Sequence, residues 1–104
     1  MPVVVAFSTF PSPDKAAEVA RILVGERLAA CVNLVPAVRS IYRWQDKIED
    51  DNEVLVLIKT RTEHFERLKA RILELHPYEV PEVLALPVEA GYAAYLEWMA
   101  KETG

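Results

Sequence analysis

The sequence predicts an α+β domain whose elements run β-α-β-β-α-β, with a short helix added at the end. Strand-like runs recur near residues 3–8, 31–44, 53–59 and 82–88, the second of them alternating with a period of two and the others more continuously apolar. Two of the intervals between them carry apolar residues at helical spacing instead. A length of 104 residues suits one hydrophobic core, and 52% apolar with 27% charged residues and little glycine is a globular composition.

The first run, VVVAFS from Val3 to Ser8, is continuously apolar and β-branched, as a central strand buried on both faces is. Ser12 then offers an N-cap, Pro13 fits the first helical position, and Asp14 meets the positive end of the helix dipole. The helix so started extends to about Arg27, with Ala16, Val19, Ala20, Leu23 and Leu28 on one stripe. From Cys31 to Trp44 the pattern alternates, setting Val38, Ser40, Tyr42 and Trp44 against Arg39, Ile41 and Arg43. Pro36 interrupts this strand and lacks an N–H for the ladder, which predicts a bulge, an edge position or both. Residues Glu53 to Lys59 form the next strand, apolar on both faces, and the polar QDKIEDDN between the two supplies a hairpin tip. If pairing continues through Lys47 and Ile48, the hairpin becomes an arm that overhangs the domain. Thr60 to Thr62 provide caps for a second helix carrying Phe65, Leu68, Ile72 and Leu75, ended by the His76-Pro77 dipeptide. EVLALPV, Glu82 to Val88, reads as the fourth strand, and Tyr92, Tyr95, Leu96 and Met99 as the stripe of the last helix.

Two right-handed split β-α-β units place these strands in one antiparallel sheet with both main helices on the same face, the ferredoxin-like arrangement. The other face, with a long aromatic hairpin beside it, then needs a cover, and self-association into a closed ring supplies one.

Charge narrows the function. The formal net charge is −4, with acids densest in IEDDNE, Ile48 to Glu53, and no basic stripe is present, which disfavours nucleic acid. The pairs Arg39/Arg43 and Arg67/Arg71 lie among compensating acids and read as solvated surface. MPVVVAFSTF has no basic leader region and is too short to insert in a membrane, so a cytoplasmic protein is expected. The single cysteine, Cys31, permits no internal disulfide and reads as a small buried hydrophobe.

The segments ERLAACVNLVP, RSIYRW with DKIE beyond it, LVLIKT, HPYEVPE and YLEWM, in this order over nearly the whole chain, resemble the CutA family of divalent cation tolerance proteins. The resemblance implies a ferredoxin-like subunit in a tight homotrimer similar to the PII signalling proteins. It implies links to copper and other divalent ions, and in animals to membrane-protein anchoring, with no settled catalysed reaction and no organic cofactor. Some members place a cysteine late in the first strand, where it joins a histidine and a glutamate around copper; Ser8 stands there in this chain, a poor soft ligand. Asp46 stands where the family's hairpin turn carries glycine, and aspartate tolerates the left-handed backbone better than most residues.

The HPYEVPE segment admits several roles. Pro77 and Pro81 hold it extended, which makes it a stiff connector. His76 and Glu82, with Glu79 as a further oxygen donor, are the candidate metal ligands, completed by a neighbouring subunit. The same residues as acid and base lack any accompanying nucleophile or phosphate-cradling motif, so no enzyme is expected. His64 reads as solvated on a polar helix face. Lys59, Trp44, Tyr42 and Tyr78 are expected at a ligand cleft or subunit interface, with a small anionic ligand near Lys59. The leading reading is a metal-response trimer that binds copper or another divalent cation weakly. A PII-like sensor with a metabolite in the intersubunit cleft and a protein partner is the alternative, and a trimeric scaffold is a third reading.

Overall fold

The computed structural model describes residues 2–104. The first strand, β1 (Val3–Phe10), runs past Ser8, and helix α1 (Pro13–Gly25) follows directly. Ser12 caps α1 as expected, its Oγ accepting from the Lys15 amide at 3.2 Å. The helix stops short of Arg27 because Arg27 turns left-handed, at φ 62°. That turn lets the Leu28 and Ala29 amides donate back to the Leu23 carbonyl at 3.0 and 3.3 Å.

Strands β2 (Cys31–Trp44) and β3 (Lys47–Arg61) form the long hairpin, paired from Cys31↔Lys59 to Trp44↔Lys47. The register shifts between Val35 and Val38, so the bulge expected at Pro36 is there, and β2 is also an edge strand of the four-stranded sheet, ordered β2-β3-β1-β4. Gln45 and Asp46 adopt φ of 50° and 64°, so the turn survives without glycine. Thr60 is not a helix cap. Because β1 pairs with β3 as far as Val3↔Arg61, Thr60 stays inside the strand, buried, and its Oγ1 donates to the Leu28 carbonyl at 2.8 Å. A single 3-10 turn, Thr62–His64, leads into helix α2 (Phe65–Leu75).

β4 (Leu84–Pro87) is shorter than the EVLALPV run. It pairs with β1 only from Val4↔Pro87 to Phe7↔Leu84, since beyond Phe7 the Thr9 carbonyl accepts from His76 instead. Helix α3 (Ala93–Glu102) closes the described chain.

Helices α1 and α2 cover one face of the sheet, burying Ala6, Phe10, Val54, Val56 and Ile58 against Val19, Leu23, Leu68 and Ile72. The opposite face carries Val5, Phe7, Leu55, Leu57, Leu84 and Leu86 by the pairing register. α3 covers one end of it through Met99 and Leu96 on Val3 and Val88. The middle stays open: Leu84 and Leu86 are 60% and 58% exposed.

His64 is buried rather than solvated. Arg61, held by the Thr103 carbonyl at 2.6 Å, places its guanidinium 2.8 Å from His64 Nε2, and together they tie down the C-terminal residues. Arg71 bridges Glu26 at 2.8 and 2.9 Å, joining α2 to the end of α1, a surface role as expected.

Candidate functional site

A cleft of about 690 Å³ opens where the hairpin arm rises beside the connector after α2. Alternation along β2 puts Ser40, Tyr42 and Trp44 on its arm side, and Thr9 of β1 and Glu53 of β3 also line it. The connector supplies the facing wall through Pro77, Tyr78, Glu79, Val80 and Glu82. Its two prolines keep this wall extended across the end of the sheet.

His76 anchors the wall. Its ring stacks on Phe10 with centroids 4.3 Å apart, Nδ1 accepts from the Tyr78 amide at 3.1 Å, and Nε2 faces the Thr9 carbonyl at 2.7 Å. These partners assign the tautomer with hydrogen on Nε2 and occupy both nitrogens. Burial holds the imidazole below its ordinary pKa, against the Thr9 carbonyl, which acts to raise it.

Both cleft phenols donate to carboxylates. Tyr78 Oη reaches Glu53 Oε2 at 2.6 Å, and Tyr42 Oη reaches Asp51 Oδ2 at 2.6 Å. The hydrogen bond to Asp51 pushes Tyr42 up to about 12, while burial first and the bond to Glu53 second push Tyr78 well above its usual range. The phenols therefore stay protonated donors across the physiological range. Among the described residues no lysine, arginine or histidine lines the cleft, and the carboxylates that bond hydroxyls there, Asp51 and Glu53, accept from the Tyr42 and Tyr78 phenols rather than from Thr9 or Ser40.

Of the residues singled out from the sequence, Trp44, Tyr42, Tyr78, Glu79 and Glu82 come together here. Lys59 does not. It borders a separate, mainly apolar recess with Val3, Val5, Leu96 and Met99, where its Nζ lies 3.5 Å from Tyr95 Oη. Cys31 is half-buried rather than buried, because its pairing with Lys59 turns it to the open face. Ser8 is fully buried on the opposite, helix-covered side. Among the described residues no group of three or more histidine, cysteine, aspartate or glutamate side chains is placed to hold a metal ion. The chain on its own thus does not assemble the set of His76, Glu79 and Glu82, since both nitrogens of His76 are engaged within it. Glu53 was missed from the sequence. It ends the acidic tract but shares the phase of Leu55 and Leu57, and its place in the apolar phase of the open face was the available signal.

The chain matches the model of the family described as CutA1 divalent ion tolerance protein over residues 4–102. The divalent-cation tolerance protein CutA of Thermus thermophilus is 51% identical over 100 residues, covering 96% of this chain and 97% of its own length. This chain belongs to the CutA1 family. Human protein CutA is also 51% identical, over 98 residues, and the matched part spans 94% of this chain and 55% of the human protein. The fold agrees as closely: the solved Thermus thermophilus CutA1 structure superposes with a TM-score of 0.94 over the whole of both chains. No helix among the described residues is long and apolar enough to cross a membrane. The CutA1 sheet and its hairpin arm thus provide the frame on which the cleft is built.

Proposed function

We propose that the protein is a non-catalytic, cytoplasmic homotrimer of the divalent-cation response, meeting its ions weakly through oxygen donors at the cleft rim. The observation that carries this is the contrast between two exposed carboxylates sharing the cleft wall, Glu79 and Glu82, and the sealed imidazole of His76. Two carboxylates do not complete a coordination sphere, so binding is weak unless a neighbouring protomer adds a ligand. Copper remains the leading ion by family, but a soft thiolate is absent at Ser8, which lowers selectivity for it. The family's name for the Thermus thermophilus relative, a divalent-cation tolerance protein, agrees with this role. That the carboxylates beside the cleft accept from phenols held protonated, with neither Ser40 nor Thr9 paired to a base, supports a non-catalytic protein.

Native mass spectrometry of metal-free protein, titrated separately with copper and zinc, tests the reading. A trimer that takes up ions, loses them in the double variant Glu79→Gln/Glu82→Gln and keeps them in His76→Gln supports it. Uptake that survives the double variant, or a trimer that ignores both ions, removes the rim site.

A further inference from the structure

His64 sits where the end of β3 meets the last described residues, at the opposite end of β1 from the cleft. It is only 6% exposed, and both ring nitrogens face guanidinium groups: Arg61 Nη2 lies 2.8 Å from Nε2, and Arg67 Nη1 lies 3.4 Å from Nδ1. A guanidinium only donates, so the ring serves here as an acceptor, and either neutral tautomer keeps one lone pair for that purpose. A protonated ring keeps none. It becomes a third cation between Arg61 of β3 and Arg67 of α2, and the acceptor beside it, the Thr103 carbonyl, is already held by Arg61 at 2.6 Å. Glu63 of the 3-10 turn favours the protonated ring, but its carboxylate is bonded to Arg61 at 2.7 Å, and no carboxylate forms a salt bridge to His64 among the described residues. Burial first, then Arg61 and Arg67, hold the imidazole below its ordinary pKa, against Glu63 and the Thr103 carbonyl, which act to raise it.

Arg61 also holds the end of α3. Its Nε donates to Thr103 Oγ1 at 3.1 Å and its Nη2 to the Thr103 carbonyl, while Thr103 Oγ1 donates in turn to the Met99 carbonyl at 2.7 Å. The other ties of the helix are slighter. Met99 and Leu96 pack on Val3, Ala30 and Val88 in a cluster apart from the main core, and on the exposed side Arg27 reaches the Lys101 carbonyl at 2.6 Å and Glu102 at 3.8 Å. An element held by a small satellite cluster and exposed contacts opens at lower cost than the core strands do. We propose that His64 is an acid-released latch for α3: its protonation displaces Arg61 from Thr103 and lets the C-terminal half of the helix lift from the end of the sheet while the other elements stay folded. Lifting uncovers Val3 and Val88 and widens the recess that Lys59 borders. The latch makes no use of the rim carboxylates and stands apart from the metal reading.

Hydrogen exchange of the full chain, read by mass spectrometry at about pH 7.5 and about pH 5.5 and normalised to unfolded-chain rates at each pH, tests the latch. The open form binds the extra proton, so release is absent above about pH 6.5 and grows as the pH falls. Protection over the second half of α3 is expected to drop about tenfold at the lower pH, the factor that one such proton supplies, while α1 keeps its own. His64→Gln, whose amide oxygen still accepts from Arg61 but does not titrate, should hold the same protection at both values. Arg67→Gln, at an exposed position, removes one of the two opposing charges, so it brings the closed and open forms closer in proton affinity and should shrink the drop. It serves should His64→Gln fail to fold. The inference is overturned by α3 protection that does not change with pH, by a loss spread equally over α1, or by a loss confined to residues around Tyr78, where His76 acts. It is overturned too by a drop that persists in a folded His64→Gln or is undiminished in Arg67→Gln.

Discussion

At the scale of single residues, the buried polar groups decide most. Ser8 is fully buried with its Oγ unpartnered, so the chain bears the desolvation of a hydroxyl with no hydrogen bond in return. Ser8→Ala is therefore expected to stabilise the fold by about 1 kcal/mol, read as a higher urea midpoint. A lower midpoint would show that the hydroxyl has a partner in solution. The two histidines make a second prediction. Burial is the main cause holding both His64 and His76 below their ordinary pKa. The unfolded chain then binds more protons than the folded one between the folded values and about 6.5, so stability is complete above that pH and declines as the pH falls. Urea unfolding at about pH 7.5 and pH 5.5 checks the sign, with His64→Gln expected to lose part of the difference; equal stability at both values would refute it. Neither burial was legible in the sequence. His64 follows a polar stretch, and what sequesters it is Arg61 and the distant Thr103, contacts that no local pattern encodes.

At the scale of elements, local chemistry was legible and partner choice was not. The cap at Ser12 and the bulge at Pro36 follow from a side-chain acceptor and a missing N–H, both visible in the residues themselves. The apolar run of EVLALPV extends beyond β4 on both sides, whereas its pairing ends where His76 takes the Thr9 carbonyl across a large sequence separation. Thr60 was read as a cap because threonine favours helix starts, but pairing with β1 outweighs that preference. The candidate site divides the same way: its aromatic wall was legible from alternation and the proline connector, while the displacement of His76 and Lys59 from it depends on tertiary contacts. The hairpin turn allows a direct test. Gln45 and Asp46 both hold a left-handed backbone that costs residues with a Cβ, although aspartate bears it better than most. Asp46→Gly should raise stability by up to about 1 kcal/mol once the greater freedom of unfolded glycine is subtracted, measured by thermal melting. A destabilised variant would mean that the Asp46 side chain contributes more to the turn than its backbone strain removes.

At the scale of the whole molecule, the chain has more surface than its mass explains. It exposes 6538 Å², against on the order of 5,900 Å² for a monomer of 11.8 kDa. Its radius of gyration is 14.2 Å, against about 13 Å for a compact chain of this length. The excess belongs to the arm and to the sheet face that α3 covers only at one end. On that face Leu84 and Leu86 extend the apolar surface of Phe7 and Val5 to the β4 edge, while β2 leaves the other edge unpaired. A face of this kind with two free edges favours association with further copies, and a closed ring satisfies both edges at once. If the assembly is a trimer built on this face, Leu84→Glu/Leu86→Glu places carboxylates in an apolar contact and shifts the mass measured by light scattering from trimer to monomer. Both side chains are already more than half exposed within the protomer, so circular dichroism should stay unchanged. A double variant that remains trimeric would place the contact on the arm or the free edges instead, and the open face would then require another explanation for its leucines.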